Sequence, residues 1–424
     1  MKVQQSFMNK VMNTHPLFSS LCDEDVAFIS SLLERYTISY QHMRQLIEYA
    51  IDLRMWMMDP LESLWDETLH PSLKGKPRFK ALFNALSSHI ETIKQSPIFY
   101  EDFHPQIVTT HKPMIVEESS SGRLLGRCPC PVEGELTRCC NVLTLDAVTQ
   151  CGFQCSYCSV QSFYHQGEVH FTSDLKRELK ELTLPEGTWH IGTGQASDSL
   201  MWGDSHNLLS SISHFASTHP EIVVEFKTKS QRTDWLQTVP IPKNIVATWS
   251  LNAPTVIEKE EHKSASLMQR LLAARSVADR GIAVGFHLHP MVYFSDWEKE
   301  YQQVISTIDH LFSPEEVMMI SFGTLTFSKS ALRELRENNT PTRVHQMALT
   351  ECAGKYSYPL EIKQQLFSFA YHTFPQKWKE AGGPFFYLCM EPPELWEPTL
   401  GHSYPSNDAF EQAMKHAYYT FMGI

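Results

Sequence analysis

Apolar positions in the first hundred residues recur at helical spacing. Val26, Ile29, Leu32, Leu33 and Tyr36 share one face, Met43, Leu46, Ile47, Ala50 and Ile51 a second, and Phe79, Leu82, Phe83, Leu86, Ile90 and Ile93 a third. The pattern predicts helices over about Asp23 to Met58, the first capped by Asp23 or Asp25, and a further helix with Pro77 near its first turn. From Asn141 the period changes. The runs NVLTLDAV, TWHIGTG, IVVEFKT, NIVATWSLN, IAVGFHLHPMVYF and VMMISFGT read as strands, with helical stretches such as Asp174 to Leu182 and Ser266 to Arg280 between them. Strands alternating with helices predict an α/β fold, a partial (β/α)6 barrel of the TIM type around a parallel sheet. Beyond about Lys329 the pattern is again mostly helical, closing on a short strand-like FFYLCME. The expected organisation is a helical N-terminal region (1–115), an α/β core (116–330) and a helical C-terminal region packed on the barrel (331–424). Glu117 to Gly122 (EESSSG) is the candidate joint.

Composition narrows the class. At 424 residues, with 42% hydrophobic and 20% charged residues, the chain suits a catalytic domain with flanking parts. No apolar run approaches the ~20 residues of a membrane span, and Met1 to Leu17 has no continuous apolar stretch of the signal-peptide kind, so a cytoplasmic location is expected. A net charge of −12 argues against loose, salt-driven adhesion to phosphate backbones and leaves room for a local basic groove. Seven of the ten cysteines fall between Cys128 and Cys158. Such crowding favours metal over disulfides.

Within that crowd, Cys151, Cys155 and Cys158 stand as C-x-x-x-C-x-x-C directly after the first expected strand, where parallel βα domains bind ligands. Three thiolates can hold a [4Fe-4S] cube and leave one iron free of protein. A zinc site would need a fourth ligand, for which His165 is the nearby candidate; an electron-transfer cluster would ordinarily bring a fourth cysteine. Buried structural thiols are the remaining reading. Glycines at Gly192-Thr193-Gly194 end the second expected strand and permit close backbone approach there.

The block CGFQCSYC, with Tyr157 before its last cysteine, resembles the signature of the radical S-adenosylmethionine (radical SAM) superfamily. The resemblance implies that the free iron chelates the amine and carboxylate of S-adenosyl-L-methionine. Reductive cleavage then gives methionine and a 5′-deoxyadenosyl radical that takes hydrogen from substrate, with an external donor of the flavodoxin or ferredoxin type. A wider likeness, over roughly Cys128 to Glu391, is to the spore photoproduct lyase family, a DNA-repair family. It rests on CGFQCSYCSVQ, IGTGQASDSL, EFKTKS, VATWSLN with SASLMQRLLAA, VGFHLHPMVYF, ISFGT, and GKYSYPLEI before YLCME. By that likeness Gly192, Thr193, Gly194, Ser197, Lys229, Ser250 and Asn252 surround SAM. Bland alternatives are a solvated lysine for Lys229 and backbone-satisfying polar groups for Ser250 and Asn252. His287 and His289 alternate on one strand and read as substrate contacts or as satisfied core histidines.

Two positions depart from the family. The cysteine that returns a hydrogen atom to the substrate radical is Gln195 here, and the tyrosine after the last cluster cysteine is Ser159, leaving Tyr157 as the candidate catalytic residue. SAM cleavage is therefore expected without thymine-dimer repair by the usual relay. The substrate is left open between nucleic acid, a small molecule and a peptide, and a non-enzymatic iron–sulfur protein is the third class. Cys128, Cys130, Cys139 and Cys140 read mainly as packed thiols, with an auxiliary metal site or a substitute hydrogen donor as the functional readings.

Overall fold

The computed structural model describes residues 15–106, 114–120, 124–128, 136–158, 167–352 and 354–424. Cys130, Ser159, His165 and the end of the expected joint lie outside the described residues. The chain divides into two compact units, residues 1–107 with 327–350, and residues 108–326 with 351–424.

The first unit contains helices Asp23–Arg35, Tyr40–Met55, Gly75–Gln95 and Lys329–Asn338. The expected apolar faces are its core: Ile29, Leu32, Met43, Leu46, Ile47, Leu82 and Leu86 are buried. Neither Asp23 nor Asp25 caps the first helix. Cys22 is the N-cap, and Asp25 sits in the first turn, where Arg54 pairs with it. Asp52, also buried, receives two hydrogen bonds from Arg336, at 2.7 and 2.9 Å.

The second unit is built on one eight-stranded sheet. Its strands are β1 (Leu125–Arg127), β2 (Leu143–Leu145), β3 (His190–Thr193), β4 (Val223–Thr228), β5 (Ile245–Leu251), β6 (Ala283–Met291), β7 (Val317–Thr324) and β8 (Phe385–Leu388). Spatial order follows sequence order from β1 to β8. From β2 to β8 neighbours run parallel; β1 alone is antiparallel, on β2. All six expected strands are present, and FFYL adds a seventh parallel one beside β7. Every residue of β5 and β7 is buried, as in a sheet covered on both faces. Helices Leu208–Thr218, Leu267–Ala278 and Trp297–Leu311 fill crossovers, and Leu360–Thr373 and Asn407–Met422 form the helical C-terminal part. The result is the open α/β barrel expected, with functional loops leaving the C-terminal strand ends. Among the described residues no helix is long and apolar enough to cross a membrane.

Candidate active site at the C-terminal strand ends

The cysteine loop follows β2 and the short strand Val148–Thr149. Gln150 and Gln154 adopt left-handed backbone conformations (φ 78° and 52°), which fold the loop tightly. The amide of Cys158 closes a turn onto the Cys155 carbonyl at 3.1 Å. Burial pushes the Cys151 thiol up, with Asp198, Cys155 and Cys158 adding to it, and burial pushes Cys155 up against the opposing charge of Lys229. The three sulfurs thus share one electrostatic environment. Met201 covers the loop, with its sulfur 3.8 Å from Cys151 Sγ and 3.4 Å from the Gly152 amide. A Cβ on Gly152 would come within 2.6 Å of Met201 Cε. Among the described residues no three His, Cys, Asp or Glu side chains are arranged to hold a single metal ion.

A buried carboxylate organises one side of this loop. Glu261, at 1% exposure, accepts from Tyr157 OH, from Lys229 Nζ at 2.9 Å, from Arg270 Nη2 at 2.5 Å and from Asn252 Nδ2 at 3.3 Å. Lys229 also donates to Tyr157 OH at 2.9 Å and lies over its ring. Burial opposes ionisation of Glu261, but Arg270 and Lys229 outweigh it and hold the carboxyl well below the usual range. The backbone is tied in as well. Cys155 and Glu261 form a bridge, the Ser156 amide donates to Glu260 O at 2.8 Å, and the Lys263 amide donates to Phe153 O at 3.0 Å. The acidic pair Glu260-Glu261 stands just before SASLMQR in the sequence, but nothing periodic marks it.

The glycine turn fixes the opposite side. Gly194 has φ 75°, and a Cβ there would meet Ser199 Oγ at 2.6 Å and its amide nitrogen at 2.7 Å; at Gly192 the nearest atom would be 3.8 Å away. Asp198 then clamps the turn to the end of β4, accepting from the Leu200 and Met201 amides, from Thr228 Oγ1 at 2.7 Å and from the Lys229 amide at 2.7 Å. Ser197 Oγ donates to Gln150 O at 2.7 Å and accepts from Trp202 Nε1, which joins the glycine turn to the residue preceding Cys151.

The residues named from sequence around the cofactor thus converge on one mouth and differ in availability. Gly192, Gly194, Ser197 and Lys229 keep partial exposure, while Thr193, Ser250 and Asn252 are buried. Thr193 Oγ1 is shared between Ser199 and the Glu225 carbonyl. The Ser250 carbonyl accepts from Arg270. Asn252 bonds Glu261, the Pro290 carbonyl and Tyr301.

Beneath the glycine turn the barrel holds a partly open cavity. Gly192, Thr193, Gln195, Glu225, Lys227 and His287 line it, together with Cys128, Cys139, Cys140 and Cys389. The Cys140 thiol is raised by its hydrogen bond with Cys139 and by burial, and burial pushes Cys389 up. Glu225 accepts from His287 at 2.8 Å, His190 at 3.1 Å and Thr248 at 2.6 Å. Those bonds keep it ionised despite its burial. His287, whose other nitrogen meets Ser321 Oγ at 2.6 Å, is pushed down to about 4 by burial and by Lys227. It is a hydrogen-bonded interior histidine that also faces the cavity.

Residues 186–366 match the family model for spore photoproduct lyase, a segment that takes in the glycine turn, Lys229 and Glu261 and begins after Cys158. A spore photoproduct lyase of Clostridium acetobutylicum is 24% identical over 203 residues, 46% of this chain and 60% of that protein. Another, of Bacillus subtilis, is 27% identical over 142 residues, 33% of this chain and 41% of that protein. The likeness therefore spans about half the length of these curated relatives. Among solved structures, a spore photoproduct lyase variant with bound AdoMet and dinucleoside spore photoproduct shares the fold, with a TM-score of 0.51 and 21% identity over 57% of this chain and 75% of that one. Family model, relatives and fold all liken this chain to the spore photoproduct lyases.

Proposed function

We propose that this chain is a lyase-like radical SAM enzyme in which Cys151, Cys155 and Cys158 hold a [4Fe-4S] cluster and the glycine turn and Lys229 receive S-adenosylmethionine. The observation that supports the reading is that one tight loop carries all three cysteines, tied to the Glu261 hub on one side and to the Gly194 turn on the other, at the C-terminal ends of parallel strands. The donor set fits the group. A cubane takes each thiolate on a separate iron, so the sulfurs need not surround one point as a mononuclear site requires. The bare thiols are raised by their burial, so loading iron must displace their protons. When bound, the cluster supplies the electron that cleaves SAM, delivered by a flavodoxin- or ferredoxin-type donor.

The chain's own residues position and shield. Glu261 fixes Lys229 Nζ, a cation suited to a carboxylate, and orients Tyr157 OH beside it. The positive φ of Gly194 turns the chain at the end of β3, and Gly192, where a Cβ would make only ordinary contacts, leaves the backbone bare for a ligand. Met201 excludes water from one flank of the cysteine loop. The barrel cavity is the substrate site, with nucleic acid, of which the relatives' dinucleoside lesion is a fragment, as the leading substrate class. Gln195 lines that cavity and has no S–H to give, so thymine-dimer repair by the family's usual relay is not part of the proposal. Anaerobic reconstitution with iron and sulfide counts, followed by a 5′-deoxyadenosine assay with and without spore photoproduct, tests the reading. Four irons per chain, lost in Cys155→Ala, with 5′-deoxyadenosine formed under reduction, support it. Absence of 5′-deoxyadenosine from the loaded protein would sink it, and thymine recovery at enzymatic rates would refute the exclusion of repair.

A further inference from the structure

The cavity under the glycine turn contains a lysine whose side chain has no direct partner among the described residues. Glu225 and Lys227 lie two residues apart on β4, so their side chains leave the same face of the strand, and both line the cavity. Glu225 is already engaged by His287, Thr248 and His190. Among the described residues Lys227 makes no side-chain hydrogen bond or ion pair, whereas Lys229, two residues on, is paired with Glu261. The groups that feel the Lys227 charge are His287, His289 and Cys389, and burial disfavours the charged form of each.

A second observation concerns His190, which lines the same cavity at 6% exposure. Its Nε2 must carry the proton it donates to the Glu225 carboxylate, and its Nδ1 is buried without a hydrogen-bond partner. A buried polar nitrogen in that condition carries a cost that a ligand can relieve. A lysine side chain with no direct hydrogen-bond or ion-pair partner has the same kind of deficit. Both residues line this one cavity.

We propose that this cavity binds a molecule bearing an anionic group, carboxylate or phosphate, seated against Lys227, with an N–H or O–H of the same molecule donated to His190 Nδ1. Calling that molecule the substrate rests on the enzymatic reading above. The binding itself needs neither cluster nor electron.

Calorimetric titration of the protein, without SAM or reductant, tests this with paired probes that differ in charge and share a donor: thymidine 5′-monophosphate against thymidine, and 3-hydroxybenzoate against methyl 3-hydroxybenzoate. At least one charged probe is expected to bind saturably and its neutral partner about ten-fold more weakly or worse. Lys227→Met should erase that difference, and Lys227→Arg should keep it within about three-fold, with circular dichroism and unfolding midpoints of both variants matching wild type. Binding of the phosphate pair alone, or of the carboxylate pair alone, identifies the anion. No binding of either charged probe to wild type, or undiminished binding to a folded Lys227→Met protein, overturns the proposal. Loss of SAM cleavage alongside intact probe binding would strike only the enzymatic reading, and intact SAM cleavage without probe binding only this one.

Discussion

Replacing Glu261 by glutamine keeps the shape of the side chain and removes its charge, and the consequence follows from what surrounds it. Five donors converge on the two carboxylate oxygens: Tyr157 OH, Lys229 Nζ, Arg270 Nη2, Asn252 Nδ2 and, at 3.4 Å, Ser264 Oγ. Glutamine offers one oxygen and one NH2. Whichever way the amide turns, it sets N–H groups against Arg270 on one side or against Lys229, Tyr157 and Asn252 on the other. Arg270 is 0% exposed and would keep a buried charge without a carboxylate. Breaking a buried pair from one side costs about 3–5 kcal/mol, roughly two to four orders of magnitude in the folding constant of the barrel unit. Lys229→Met should cost far less, about 1 kcal/mol, because Glu261 keeps four donors and the lysine, at 16% side-chain exposure, carries partly screened charge. Native-state hydrogen exchange on the peptide spanning Ile245–Leu251 reads the barrel separately from the helical unit. A Glu261→Gln protein within about 1 kcal/mol of wild type, or one more stable than Lys229→Met, would refute the claim that Glu261 organises this side of the site.

Gly194→Ala should destabilise the barrel by about 2 kcal/mol or more, since the left-handed backbone and the Ser199 amide both oppose a Cβ. Gly192→Ala should leave stability within about 0.5 kcal/mol, so any loss of SAM affinity it causes, measured by equilibrium binding to the reconstituted protein, reports the ligand's own claim on that space. In the helical unit Asp52→Asn should cost about 3 kcal/mol at neutral pH. Burial would raise the Asp52 carboxyl, but Arg336 and His345 overcome this and hold it well below the ordinary range, so its contribution is complete above the unfolded value near 4 and is lost as pH falls through the folded one. Urea midpoints at several pH values down to about 2 should therefore show the gap between wild type and variant closing in acid, and an equally wide gap at pH 2 would contradict the assignment.

What the sequence discloses and what it hides divide along a physical line. Periodicity reports which face of an element is apolar, so the faces carried by Ile29, Leu46 and Leu82 and all six main strands were legible. Periodicity does not report the partner. Phe385–Leu388 read as a strand from its residues, but its place beside β7 depends on pairing Met319 with Phe385 across a long stretch of chain. Lys329–Asn338 read as helix, while its grouping with residues 1–107 rests on single polar contacts such as Arg336 to Asp52. The cysteines and glycines of the site were legible because close spacing is local. Glu261 was not, because its role comes from five donors scattered between Tyr157 and Arg270.

The segment Glu225 to Lys229 shows how the fold assigns its charges. Three alternate residues at one strand end meet three different conditions. Glu225 is saturated by two histidines and a threonine, and so is part of the frame. Lys229 is held by Glu261 and Tyr157, so its ammonium is placed in advance, and a cofactor carboxylate arriving there meets a group that needs little reorganisation. The Lys227 side chain has no hydrogen-bond or ion-pair partner among the described residues, and on the proposal above a ligand anion fills that place. Under the proposed function the cofactor side of the mouth is therefore rigid and the substrate side incomplete. Gln195, which takes part in neither the Glu261 nor the Asp198 hydrogen bonds, lies on the incomplete side, so on that reading the residue there can change without disturbing either frame.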